Sequence, residues 1–178
     1  MFKNSFKSLK STKVLCSSAI LAALFVVLYA LKLPLTPELR ITFTFIPLAI
    51  AGWLFGPVIG MLVGMVGDVV GALLFPSGAY FPGFTLTTML TGLIFGIFLY
   101  NKNEKISILW IFLSKLLINM LLNVALNSLW LSIITNKGYV IFFAQHFFKN
   151  IAVLPIEIIL LFIVLKILLS HGIKKMYK

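Results

Sequence analysis

The stretch Pro57–Phe75, PVIGMLVGMVGDVVGALLF, decides the architecture. Every residue in it except Asp68 is uncharged, and its length matches the roughly 20 apolar residues that cross a bilayer as a helix. Gly60, Gly64, Gly67 and Gly71 recur at steps of four, three and four. These positions share one helical face, where the missing side chains let another helix approach closely. A carboxylate this far into a span costs about 2.5–3.5 kcal/mol on insertion scales. Asp68 must therefore face a partner or a cavity, and both a ligand or proton role and a structural ion pair fit that requirement.

The rest of the chain has the same character. Of its 178 residues, 61% are hydrophobic and 11% charged, against about half and about a quarter in an ordinary soluble domain. Small domains bury only about two-thirds of their chain surface, so this excess excludes a water-soluble globular enzyme. At about 20 residues per span, the length allows roughly six helices with short connections. The spans predicted are 14–31, 41–55, 58–75, 84–100, 106–134 and 140–170, in one domain covering 1–178. The first run is too long for a cleaved signal core. The second span is short, and its opening Ile41-Thr42-Phe43-Thr44-Phe45 before Pro47 suggests an extended entry. One cysteine rules out an internal disulfide.

Fifteen Lys and Arg against four Asp and Glu give a net charge of +11. In a soluble chain this would point to nucleic acid. Here the cations sit at the ends of apolar runs, and no nucleic-acid partner is expected. Lys3, Lys7, Lys10, Lys13, Lys102, Lys105, Lys166, Lys174, Lys175 and Lys178 fall on one side, Lys32, Arg40 and Lys137 on the other. The bias places both termini in the cytoplasm by the positive-inside rule.

Three groups of polar residues interrupt the apolar spans. Lys115, Asn119, Asn123, Asn127 and Trp130 form a slowly winding stripe on the fifth span, which must point inward because amides facing lipid would stay unsatisfied. On the sixth, His146, Lys149, Asn150 and Glu157 share one side. Glu157 either neutralises Lys115 at comparable depth or meets a ligand. Arg40, at the outer start of the second span, either anchors to headgroups or binds a carboxylate in bidentate fashion. Together these residues outline an outward-opening vestibule. Arg40 and Lys149 lie near its mouth, Asp68 deeper, and the aromatics Phe43, Tyr80, Phe81, Phe84 and Trp130 between. Such a site suits a flat heteroaromatic ligand with donors at one end and anionic groups at the other.

Several stretches resemble one family. They are Arg40-Ile-Thr-Phe-Thr-Phe-Ile-Pro47, Leu48 to Pro57, Gly67-Asp68-Val-Val-Gly71 through Phe75-Pro76 to Tyr80-Phe-Pro-Gly-Phe-Thr85, and Lys149 with Leu154-Pro-Ile-Glu157. The chain resembles the substrate-binding S components of energy-coupling-factor (ECF) vitamin transporters, most closely the folate-specific branch. The resemblance implies an all-α integral membrane protein of six transmembrane helices, with an outward pocket roofed by the loops after the first and third helices. It implies no enzyme activity and no cofactor. ATP would be consumed by two partner ATPases of the ABC type, joined through a membrane coupling protein. The loaded S component would topple to carry its pocket inward, in a bacterial cytoplasmic membrane that it crosses several times. Ala19 and Ala23, in Ala19-Ile-Leu-Ala-Ala23, would face the coupling subunit.

On this resemblance Asp68 would take the donor edge of a pterin, since a carboxylate accepts two parallel N–H bonds. Aromatic rings would stack on it, with Gly83 beside them. Arg40 and Lys149 would meet the glutamate tail, helped by Thr85, Asn127 and His146. The stretch Gln145-His146-Phe-Phe is less basic than the branch's pattern. Alternatives are an S component for riboflavin, thiamine or pantothenate, or a stand-alone proton-coupled carrier using Asp68 and Glu157. The absence of an internal repeat argues against the common carrier folds. The two histidines, 25 residues apart, offer no metal cluster.

Overall fold

The computed structural model describes residues 1–34, 40–76, 80–100 and 107–177. The predicted turn at Asn101–Lys105 and the loop positions 77–79 lie outside the described residues. The helices are α1 (Phe2–Ser8), α2 (Thr12–Ala30), α3 (Phe45–Phe55), α4 (Pro57–Leu74), α5 (Pro82–Leu99), α6 (Ile108–Leu117), α7 (Asn127–Thr135) and α8 (Tyr139–Ser170). A π-helical segment, Ile118–Leu126, joins α6 to α7, and a 3-10 turn, Ile173–Tyr177, follows α8. Two residues each of β1 (Leu33–Pro34) and β2 (Arg40–Ile41) pair antiparallel. Pro57 and Pro82 stand in the first turns of α4 and α5, where the missing N–H costs nothing.

Five segments are long and apolar enough to cross a membrane: α2, α4, α5, the continuous Ile108–Thr135 and α8. The second predicted span differs. Its helical part, α3, has only 11 residues, about 16 Å at 1.5 Å per residue. The extended stretch from Arg40 to Phe43 adds roughly 13 Å at 3.3 Å per residue, and together they match the ~30 Å hydrocarbon core. Non-helical backbone at membrane depth is tolerated only inside protein or along a cavity. Both conditions hold. Ala49, Ala51 and Trp53 of α3 are at most 1% exposed, and Ile41, Thr42 and Thr44 line the cavity described below.

The glycine stripe of α4 serves two neighbours rather than one. A Cβ on Gly60 would lie 2.5 Å from the Gly92 carbonyl oxygen, and one on Gly64 2.7 Å from that of Thr88, so this half seats α5 backbone to backbone. On Gly67 and Gly71 it would strike the rings of Phe25 and Tyr29, so the outer half seats α2. The stripe therefore packs three helices around Asp68.

Both termini meet at the end of the bundle opposite the β1–β2 pair. Ser5, fully buried, donates to the Phe55 carbonyl at 2.7 Å. Lys13 Nζ donates to Met176 O at 2.7 Å, and Lys174 Nζ to Tyr100 O at 2.8 Å. Helix α1 is an element the sequence reading left as a charged leader. The fifth span differs as well, because its middle nine residues are π-helical rather than a continuation of α-helix.

Candidate binding site

A cavity of about 470 Å³ opens among α2, β2, α3, α4, α5, the Ile108–Thr135 span and α8. Its size falls in the usual range for small-molecule sites.

One wall is acidic. Asp68 is 6% exposed and accepts from Thr85 Oγ1 at 2.7 Å and Thr88 Oγ1 at 3.4 Å. Thr85 spends its proton on Asp68, so the 2.9 Å contact with Tyr80 has the phenol donating. An ionised carboxylate has about four acceptor sites, and the two threonines occupy two of them. The other two remain for a ligand, and Asp68 lines the cavity.

The facing wall is basic. Lys149 lies ten residues into α8, yet its ammonium reaches outward to the Arg40 carbonyl at 3.2 Å. Helical side chains lean toward the helix N-terminus, which for α8 is the end nearest β2. Arg40 also lines the cavity, as does Lys32, which the sequence reading treated only as a topological charge. Lys32 sits 3.3 Å from the centre of the Tyr29 ring. Its pKa is pushed down to about 8, first by burial and then by Arg40, with Asp68 pulling the other way.

A polar ladder runs along the fifth span. Lys115 Nζ lies 3.0 Å from Glu157 Oε2, and Asn119 Nδ2 donates to the same oxygen at 3.0 Å. Asn123 donates to Asn119 Oδ1 at 3.0 Å, and Asn127 to Asn123 Oδ1 at 3.5 Å. The structure thus pairs Glu157 with Lys115, one of the two roles weighed for it, while both also line the cavity. In an α-helix a step of four overshoots a turn, whereas a π turn closes over more residues. The π segment holding Asn119 and Asn123 offsets the winding, so the asparagines stack nearly in line.

The other predicted site residues divide into two groups. Phe81, Phe84, Tyr80, Asn127, His146 and Lys149 line the cavity with Asp68 and Arg40. Gly83, Thr85 and Trp130 act one layer behind. A Cβ on Gly83 would strike both Phe81 and Trp130, whose ring centres are 5.5 Å apart. Trp130 Nε1 donates to Thr87 Oγ1 at 3.1 Å, and Thr87 lines the cavity. Phe43 is not brought to the lining. It packs against the hydrophobic core, because in an extended entry alternate residues point to opposite sides and Thr42 and Thr44 take the cavity side. Thr87, Thr88, Asn123 and Lys32 were missed as site residues. Only the proximity of Thr88 to the helix turn facing Asp68 could have signalled them. Ala19 and Ala23 lie apart from the cavity, on an exposed face of α2 with Ile20, Leu24 and Val27.

An all-helical bundle crossing the membrane around one outward polar cavity, without a repeat, is the architecture of a membrane transport subunit. A profile of the family described as ECF-type riboflavin transporter, S component, matches residues 9–175. The chain belongs to this family of ECF-type S components, and is a transport subunit rather than an enzyme. It is 37% identical over 154 residues to the folate transporter FolT of Clostridium novyi, covering 86% of this chain and 88% of that protein. It is 31% identical over 165 residues to the folate transporter FolT of Leuconostoc mesenteroides, covering 89% and 88%. The structure superposes on a crystal structure of FolT bound with folic acid with a TM-score of 0.80, at 35% identity, covering 86% of this chain and 93% of that one.

Proposed function

We propose that the chain is the folate-binding S component of an ATP-driven ECF uptake transporter in a bacterial cytoplasmic membrane, with both termini in the cytoplasm. The observation that carries the reading is the polarised cavity. Asp68, with two acceptor sites unused by Thr85 and Thr88, faces Lys149, Arg40 and Lys32 across aromatic rings. Folate has the matching order of groups, an amino-pterin donor edge at one end and two carboxylates at the other. The curated relatives that carry folate names support the same ligand.

The pterin edge pairs with Asp68 in two parallel bonds, Phe81 and Phe84 stack on the rings, and Arg40, Lys149 and Lys32 meet the glutamate. Ala19 and Ala23 give the coupling protein a flat face of α2 to dock on. Two ABC-type ATPases joined to that protein supply the drive, and the loaded subunit topples to release folate inside. No cofactor is assigned to this chain itself.

Riboflavin is the second reading, favoured by the description of the family profile and by the aromatic lining. It carries no carboxylate to meet Lys149 and Arg40, and so ranks below folate. Reconstitution into proteoliposomes tests the role. Folate should accumulate only when the coupling protein, both ATPases and ATP are present. Accumulation by the chain alone, driven by a proton gradient, would overturn it in favour of a stand-alone carrier.

A further inference from the structure

The asparagine ladder has a direction, and its outer end is left open. Glu157, ionised beside Lys115, can only accept. Asn119 must therefore present its amide N–H to Glu157 and its carbonyl outward. Asn123 donates to that carbonyl, and Asn127 to the next. The carboxylate thus fixes the amide orientation of the whole row, and the last carbonyl, Asn127 Oδ1, is a buried acceptor with no partner.

A second unsatisfied group lies level with it. Asn127 stands eight residues before the end of α7 and His146 seven after the start of α8, about 12 and 10 Å along antiparallel helices from their shared turn. Both line the cavity. His146 is 6% exposed, and neither ring nitrogen has a partner. At pH 7.5 an ordinary imidazole is mainly neutral, offering one N–H and one acceptor nitrogen. Buried polar groups in native structures are almost always paired, so these two await a ligand.

We propose that Asn127 and His146 form an uncharged clamp for a secondary carboxamide, Asn127 Oδ1 accepting its N–H and an imidazole N–H donating to its C=O. A carboxylate does not fit, because it would set its oxygens against Asn127 Oδ1. A secondary amide offers one donor and one acceptor on opposite edges of a flat unit. The inference rests on the folate reading, since folate joins its aromatic half to its dicarboxylate tail through one such amide. It adds that the site reads this linkage, and that Glu157 acts on specificity from a distance by orienting the ladder.

The test compares folate with its ester analogue, in which oxygen replaces the amide N–H while both carboxylates remain. Purified wild-type protein should bind folate at least tenfold more tightly than the ester, since a donor is lost and two acceptors are opposed. In Asn127→Ala, and in Asn127→Ser should the first variant fold poorly, the ratio should fall to about twofold. His146→Phe should weaken both ligands roughly tenfold and alike, and His146→Gln, which keeps a donor, should restore most of that loss. An equal ratio in wild type and the Asn127 variants, or no preference in wild type, would overturn the clamp while leaving folate as ligand. Failure of folded wild type to bind folate would overturn the folate reading, and the clamp with it.

Discussion

Replacing Asp68 by asparagine changes one oxygen into an NH2 group at nearly constant shape. In the structure the carboxylate spends one acceptor site on Thr85 at 2.7 Å and one on Thr88 at 3.4 Å. The remaining two face a cavity in which a pterin would present two N–H donors. Asparagine cannot accept from both sides, because either the threonine or the pterin then meets an amide donor. The loss is at least one hydrogen bond to a charged group, about 1.5–3 kcal/mol, or roughly a 10- to 150-fold rise in Kd. Titration of the detergent-solubilised variant with folate measures it, with thermal unfolding run in parallel to separate folding from binding. Affinity within twofold of wild type in a folded Asp68→Asn protein would refute the reasoning. A drop in melting temperature without that rise in Kd would make Asp68 structural.

Four further outcomes follow from the same contacts. Glu157→Gln strands the fully buried Lys115 ammonium and should cost about 3–5 kcal/mol of stability, much of it recovered in Lys115→Met/Glu157→Gln, as chemical denaturation in detergent would show. Gly60→Ala drives a methyl against the Gly92 carbonyl and should lower Tm by about 2–12 °C, from an overpacking cost of about 1–3 kcal/mol. Gly138→Ala, with only Ile141 near at 3.9 Å, should leave Tm unchanged. Ala19→Leu/Ala23→Leu should abolish coupled uptake in proteoliposomes while folate affinity stays within twofold, and loss of binding would instead make the pair part of the fold. Lys32, with its pKa near 8, is charged at neutral pH and loses its proton above about pH 8. An anionic ligand raises that pKa, so calorimetry in buffers of different ionisation enthalpy should show proton uptake on folate binding near pH 9, little at pH 6.5, and none from this source in Lys32→Met.

The spans were legible because their cause is local. Runs such as Pro57–Phe75 carry enough apolar residues to cross a bilayer wherever they stand in a chain. The extended entry of the second span was legible too, in the alternation of Thr42, Phe43 and Thr44 before Pro47. That pattern did not say which residues face inward, and Phe43 falls on the core side because Thr42 and Thr44 take the cavity. The π segment left no mark beyond the step-of-four asparagines, since its registry depends on contacts with α8. Lys32 read as a flanking charge because its place beside the cavity follows from the β1–β2 pairing, a tertiary event. The glycine stripe announced close packing but not that α5 and α2 divide it at Gly64 and Gly67.

Folate recognition by an isolated, passive subunit is most directly tested by titrating the purified protein and following quenching of Trp53, Trp110 and Trp130 emission. Riboflavin and thiamine serve as controls, each corrected for its own absorption. The account predicts saturable, tight quenching by folate alone, without ATP or any partner protein. Saturable binding of riboflavin or thiamine with none of folate, in protein shown to be folded, would contradict it.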